Sequence, residues 1–267
     1  VTARGGAHHF SKYAAVMDIL REQGNLTEHR PEPMPRAWLE AAHDPAYVAA
    51  VLSATVDPAI ERRIGFAVTP EVARRAKVSP GGTWLAARLA LQHGYAANAA
   101  GGSHHALPDT GAGYCVFNDL AIAALRLVGD GDVARILIVD GDVHQGDGTA
   151  VILAGHSDIA TLSIHSAKNF PTRKVQSTLD VALPDGTGDE TYLNALRPAL
   201  AAMTERVRPD LVLYQAGVDV HADDKLGRLS LTDAGIAARD TLVATTAARL
   251  GIPFASAMGG GYGNDVM

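Results

Sequence analysis

Four short segments of this chain hold side chains whose types and spacing suit metal-assisted hydrolysis: Gly101-Gly102-Ser103-His104-His105, the run Asp140-Gly141-Asp142-Val143-His144-Gln145-Gly146-Asp147-Gly148, Ala216-Gly217-Val218-Asp219, and Gly259-Gly260-Gly261-Tyr262. In extended backbone alternate residues project to one side, so Asp140, Asp142 and His144 converge on one point, with Asp147 one turn further on. Converging carboxylates call for a cation. Asp142, His144 and Asp219 together offer two carboxylate oxygens and one imidazole nitrogen, a set that leaves a fourth position on zinc for water and substrate. Such an ion would polarise a carbonyl and activate its water. The adjacent His104 and His105 would supply proton-transfer groups, each best held by a carboxylate on its far nitrogen, and Asp140 and Asp147 are the available partners. Tyr262, on a glycine-rich turn that lets backbone pass close to a ligand, can donate to a developing oxyanion. The reaction these groups imply is hydrolysis of an amide.

The elements that must position them alternate between strand and helix patterns. The apolar run Ile136-Leu137-Ile138-Val139 suits a parallel strand buried on both faces and leads directly into Asp140. Further strands are expected at 95–100, 160–164, 211–215 and 253–257, and helices at 35–42, 45–54, 70–76, 81–93, 118–128, 190–206 and 232–249. Ser11 is expected to cap a first helix reaching about Arg21 and stopped by Gly24, with Tyr13, Val16, Ile19 and Leu20 as its apolar stripe. The crossover rule then gives a mostly parallel sheet with helices on both sides. Open sheets of this kind bind ligands at the carboxyl ends of their strands, so four segments distant in sequence should meet in one crevice.

A chain of 267 residues, 47% of them hydrophobic, can bury a large core. Its formal net charge of -6, from 23 Lys and Arg against 29 Asp and Glu, argues against a nucleic-acid footprint. The lone cysteine, Cys115, excludes an internal disulfide framework and fits a reducing compartment, and no apolar run is long enough to span a bilayer. A cytoplasmic protein without a membrane or nucleic-acid partner is expected. Val1 to Ala7 shows no signal-peptide pattern, Val1 is not an initiator methionine, and Met267 follows soon after the Tyr262 turn, so both ends are open to truncation.

In order and spacing these segments resemble those of the zinc-dependent histone deacetylase superfamily. The resemblance rests on Gly101 to Ala106, Gly113-Tyr114-Cys115-Val116-Phe117-Asn118-Asp119, Asp140 to Gly148, Asp219 with Asp224-Lys225-Leu226-Gly227, and Gly259 to Tyr262, and it runs from about Tyr13 to Tyr262. Gln145 in place of a second histidine, Leu226 to Leu231 and Leu183 to Glu190 point to the bacterial class IV-like branch. The resemblance implies a single-domain, three-layer arginase-deacetylase α/β fold over residues 1–267. It implies zinc on Asp142, His144 and Asp219; His105 with Asp147 as general base and then acid; His104 with Asp140 as electrostatic support; and Tyr262 at the tetrahedral intermediate. Tyr114 and Phe170 would line an acyl-lysine tunnel, and the Gly113 carbonyl would face the substrate amide. A structural potassium ion would sit against Asp140, Asp142, the His144 carbonyl, Ser163 and the Ile164 carbonyl. The implied partner is an acylated lysine peptide or protein, or an acetylated small amine.

Some positions depart from that pattern. The stretch between His9 and the Ser11-Lys12-Tyr13 helix start is short, an opening strand is not evident, and Ser103, Thr172 and Asp223 replace residues common in relatives. Taken singly, each motif also has a structural explanation: Asp-Gly pairs form turns after strands, and a buried tyrosine beside a glycine turn is common. Their joint occurrence at successive strand ends favours one shared site. His43, His156, His165 and His221 read as satisfied core or solvated surface, and Cys115 as a buried small hydrophobe. Three competing functions share these features: a deacetylase of small molecules such as acetylpolyamines, with Asp223 as a rim acid; a non-catalytic acyl-lysine-binding module; and a binuclear ureohydrolase, for which additional carboxylates are not evident. Mixed oxygen and nitrogen ligands also accept iron or cobalt.

Overall fold

A computed structural model describes residues 11–24 and 26–263. The readings made on Val1 to Ala7, on His9 and on Met267 lie outside the described residues, as does the cap expected of the Ser11 side chain. In chain order α1 (Ser11–Gln23), α2 (Arg36–Ala42), α3 (Pro45–Leu52), α4 (Pro58–Ile64) and α5 (Pro70–His93) precede β1 (Tyr95–Asn98). Then come α6 (Asp119–Gly129), β2 (Ile136–Asp140), α7 (Asp147–Ile152), β3 (Ile159–Ser166), β4 (Leu179–Leu183), α8 (Asp189–Val207), β5 (Leu211–Gln215), α9 (Asp233–Arg249) and β6 (Phe254–Ala257).

The strands form one sheet in the order β1-β6-β5-β2-β3-β4, and every ladder is parallel. Parallel strands share one carboxyl edge, and the four strands that lead into the motifs, β1, β6, β5 and β2, are neighbours in that order. The alternation of side chains builds the layers. Ile136 and Ile138 of β2, with Leu211 and Leu213 of β5, pack with Ala86, Ala87, Ala90, Leu120 and Leu127 of α5 and α6. Leu137 and Val139, with Val212 and Tyr214, pack with Leu196, Leu200, Met203 and Val243 of α8 and α9. Each fully buried aliphatic side chain of these two faces contributes about 1.5–3 kcal/mol. The result is the expected three-layer α/β architecture. A third cluster, including Leu39, Val48, Ile64, Phe66, Val116 and Phe117, lies under α2 to α5. No helix among the described residues is long and apolar enough to cross a membrane.

Several elements differ from expectation. The helices expected at 70–76 and 81–93 are one helix, α5, with Pro80 inside it. Chain 32–34 lies directly on this region: Met34 N donates to Lys77 O at 2.9 Å, and a Cβ on Gly81 would collide with Glu32 O. Tertiary packing along the whole length of α5 overrides the local break. Three short elements were not foreseen. Helix α4 starts on Asp57, whose side chain accepts from Ala59 N, with Pro58 at its first position; α7 begins at Asp147, near the end of the Asp/His run, and continues to Ile152; and β4 is a half-exposed edge strand. In α1, Ile19 and Leu20 are exposed and the buried residue of the first turn is Lys12. The buried contact in that turn is thus polar, from Lys12 to Gly259 O.

Candidate active site and metal centre

The loop after β1 is fixed from behind by two side chains at the start of α6. The Asp119 carboxylate accepts from Gly102 N at 3.0 Å, Ser103 N at 2.6 Å and Thr83 Oγ1 at 2.5 Å. The Asn118 amide donates to His104 O and Ala106 O, each at 3.3 Å, while its Oδ1 caps α6 by accepting from Ala121 N. Gly101 and Gly102 have φ of +81° and +80°, and a Cβ on Gly102 would collide with Gln215 and Gly259. Only glycine fits there. The two histidines that follow are buried and meet the carboxylates of the next strand. His104 Nδ1 donates to Asp140 Oδ2 at 2.7 Å, and His105 Nδ1 donates to Asp147 Oδ1 at 2.7 Å. Asp140 ends β2 and Asp147 begins α7, so each dyad ties the loop after β1 to a regular element.

Beside them, Asp142, His144 and Asp219 each offer one ligand atom, and these atoms lie within 4.8 Å of one another. His144 Nδ1 is 3.1 Å from both Asp142 Oδ1 and Asp219 Oδ2. The carboxylates are braced by backbone: Val143 N donates to Asp219 Oδ1 at 2.8 Å, and Gly260 N to Asp142 Oδ2 at 3.0 Å. Gly260 passes so close that a Cβ would collide with both Asp142 and Asp219. Two buried carboxylates and an imidazole edge around one point are the donor set of a divalent cation, and the residues present fit it. The electrostatics agree. Burial opposes protonation of His144, yet its bonds to Asp142 and Asp219 overcome this and raise it to about 10. Burial, then the Asp142 charge, pushes Asp219 up to about 7. The proton that the two carboxylates draw onto His144 marks the place where a bound cation would supply the compensating charge instead.

The histidine pair is polarised in opposite directions. Burial opposes protonation of His104, but Asp140 and Asp142 raise it to about 9, whereas burial followed by the His104 charge takes His105 down to about 4. Tyr262 is 9% exposed, and burial followed by the charges of Asp142 and Asp219 lifts its phenol well above the ordinary value, so it remains an O–H donor. Its backbone is set by Asp224, whose Oδ2 accepts from Tyr262 N at 2.7 Å while Oδ1 accepts from Leu226 N and Gly227 N, both at 2.8 Å. Phe170 packs edge-on against His105 at 4.8 Å between ring centroids and is 44% exposed, so it stands at the mouth. Tyr114 tilts against Tyr262 at 5.6 Å, its own φ is +66°, and its ring crosses Gly65, where a side chain would collide with it. A crevice here is lined by Tyr13, Arg75, His104, His105, Tyr114, Asp142 and Tyr262.

The residues singled out from sequence thus lie together: His104, His105, Asp140, Asp142, His144, Asp147, Asp219 and Tyr262, with Tyr114 packed against Tyr262 and Phe170 against His105. Gly113 packs so close to the His105 ring that a Cβ would strike it, and its carbonyl accepts from Cys115 Sγ at 3.3 Å. Of the group expected around potassium, Ser163 pairs with Asp140 in the β2–β3 register, but its hydroxyl engages His165 Nδ1 at 2.9 Å. Asp223 is exposed, and Gln145 turns away from the site to bond Val175 and Asp180. His43 is a buried bridge, and His156 lies at the surface. Sequence reasoning missed Lys12, Gln215 and the bracing roles of Asp119 and Asp224. Lys12 Nζ, 4% exposed as a residue, donates to Gly259 O at 3.1 Å and Gly261 O at 3.5 Å. Gln215 Nε2 donates to Gly102 O at 2.8 Å. A lysine on an amphipathic first helix and a glutamine ending an apolar strand carry no local signal of these roles.

Comparison with known proteins agrees with this arrangement. Residues 7–267 match the histone deacetylase domain. An uncharacterized protein of Picosynechococcus is 44% identical over 258 residues, 96% of this chain and 86% of that protein. Histone deacetylase 2 of Arabidopsis thaliana is 31% identical over 268 residues, 94% of this chain and 68% of that protein. The crystal structure of the HDA15 HD domain superposes with a TM-score of 0.79 at 22% identity, covering 94% of this chain and 75% of that one, a likeness of fold.

Proposed function

Since this chain belongs to the histone deacetylase family, we propose that it is a zinc-dependent deacetylase that hydrolyses the side-chain amide of acyl-lysine, most simply acetyl-lysine. The observation that supports this reading above all is the convergence of Asp142, His144 and Asp219 beside two His–Asp dyads and Tyr262. A divalent cation held by those three side chains would supply Lewis acidity toward the acyl carbonyl and the attacking water. His105 takes a proton from that water at Nε2 while Asp147 holds the Nδ1–H, and it then returns the proton to the departing amine nitrogen. His104, tied to Asp140, adds positive potential beside the developing negative charge. The Tyr262 hydroxyl donates to the oxyanion of the tetrahedral intermediate. Phe170 and Tyr114 flank the aliphatic stem of the lysine and keep water from the amide. A potassium ion near Asp140 and Ser163 belongs to the same reading.

Metal analysis of the purified protein, combined with turnover of an acetyl-lysine peptide and of an acetylated polyamine, tests the proposal. One equivalent of zinc and preferential turnover of the peptide are expected. Preference for the polyamine would transfer the activity to small amines, iron or cobalt as the retained ion would replace zinc, and binding without turnover in metal-loaded protein would overturn the catalytic reading.

A further inference from the structure

Arg239, on α9, has no exposed surface, whereas the other buried residues of that helix are Gly235, Val243, Thr246 and Ala247. Its Nη1 donates to Gly141 O at 2.9 Å and to Gly217 O at 2.6 Å. Gly141 immediately precedes Asp142, and Gly217 lies two residues before Asp219. The guanidinium is aimed by Asp240, whose Oδ1 accepts from Arg239 Nε at 2.9 Å and from the Tyr214 hydroxyl at 2.6 Å. The Tyr192 hydroxyl approaches the same Gly141 oxygen at 3.4 Å. Nη2 is buried with no acceptor among the described residues.

A stability role alone explains this poorly. Burying a guanidinium against one half-exposed carboxylate, with the two N–H donors of Nη2 left over, is unfavourable beside an apolar side chain of similar volume. The geometry supplies another role. The β2–β5 ladder continues past the strand ends through Gly141 N to Gln215 O at 3.0 Å. Beyond that bond the two chains continue as the loops carrying Asp142 and Asp219, and Arg239 bridges their carbonyls as one further rung. Contact there is tight, since a Cβ on Gly217 would collide with the Asp142 carboxylate.

We propose that Arg239 is a positioning residue whose guanidinium sets the separation of Asp142 and Asp219 and thereby the affinity of the cation site. The inference rests on the metal-dependent reading above and deepens it. Zinc affinity, measured by competition with a chromophoric chelator, and the rise in Tm on adding zinc to chelated protein are the readouts. Arg239→Met should weaken zinc binding about 10–100-fold and shrink the zinc-induced rise in Tm. Arg239→Lys, which keeps a charged donor, should recover part of both. Asp240→Ala, at a half-exposed side chain, should weaken zinc binding several-fold with little change in the Tm of chelated protein, and it carries the test where Arg239→Met does not fold. A lower Tm in chelator with unchanged zinc affinity in all three variants would leave Arg239 a packing residue and overturn the inference. Wild-type protein that binds no zinc, or binds it equally well as Asp219→Ala, would instead overturn the metal reading itself, and this inference with it.

Discussion

His43 should make stability fall in mild acid by an amount that can be worked from its surroundings. It is 2% exposed, its Nδ1 donates to Leu107 O at 2.8 Å, and its Nε2 accepts from Asn118 N at 2.9 Å. These partners fix one neutral tautomer, and the adjoining rings, Tyr47 and Phe117, carry no charge to compensate a proton. Burial therefore takes His43 from 6.5 down to about 4. Because the folded value lies below the unfolded one, the unfolded chain binds more protons between them. The stabilisation is fully present above pH 6.5 and is lost as pH falls toward 4. Linkage puts the loss at about 1.4 kcal/mol by pH 5.5 and about 2.5 kcal/mol by pH 4.5, out of a limit of about 3 kcal/mol. Urea unfolding of wild type and His43→Gln at pH 7.5, 5.5 and 4.5 isolates this group from the other buried histidines. The stability difference between the two proteins should shrink with acid by those amounts. A difference constant across the range would refute the reasoning, because it would mean that His43 does not remain neutral in the folded protein.

Tyr262→Phe should lower kcat about 10²–10³-fold with zinc content and fold unchanged, read by steady-state kinetics and metal analysis; wild-type turnover would remove the oxyanion role. Gly260→Ala should act on the metal and not on the proton-transfer groups, since its Cβ meets both Asp142 and Asp219. Zinc affinity measured by chelator competition should drop at least tenfold or so, and retention of tight binding would contradict the close approach. Asp224→Ala frees three backbone donors, one of them Tyr262 N. It should reduce kcat while zinc affinity stays near wild type, and equal kcat in the two proteins would show that the Tyr262 turn holds without Asp224. Asp119→Asn turns an acceptor of three bonds into a mixed group facing donors. A loss of about 1–3 kcal/mol in urea unfolding is expected, and an unchanged midpoint would count against the bracing role.

The sequence displayed the chemistry-bearing residues better than the frame that aims them. The run from Asp140 to Gly148 and the pair His104-His105 are legible because their spacing is local and the chemistry of their side chains is distinctive. The parallel strands β2 and β5 are legible because both faces are buried, which makes Ile136 to Val139 and Leu211 to Tyr214 unbroken apolar runs. Helix α5 was misread because Pro80 is a local signal and its override, the chain around Met34, comes from more than forty residues away. Edge strand β4 was missed because, half-exposed, it has neither a continuous apolar run nor a clean alternation. The burial of Lys12 and Arg239 was unreadable for the same reason: their partners are carbonyls of glycine loops distant in sequence, and a carbonyl has no sequence signature.

Those hidden partners share a pattern that explains the glycines. Carboxylates of one loop are satisfied by backbone N–H groups of another: Asp119 by Gly102 and Ser103, Asp142 by Gly260, Asp219 by Val143, and Asp224 by Tyr262. The buried cations answer with the complementary half, Lys12 to the carbonyls of Gly259 and Gly261 and Arg239 to those of Gly141 and Gly217. At some of these crossings the carboxylate also lies against the neighbouring Cα, so that a Cβ would strike Asp119 at Gly101, Asp142 at Gly217, and both Asp142 and Asp219 at Gly260, and glycine recurs there. A carboxylate bound by backbone of a neighbouring loop also cannot change rotamer without releasing that loop. The charges at the strand ends are thereby held in place by the loops they join, and substitutions at the crossings should alter the site's geometry before they alter the fold.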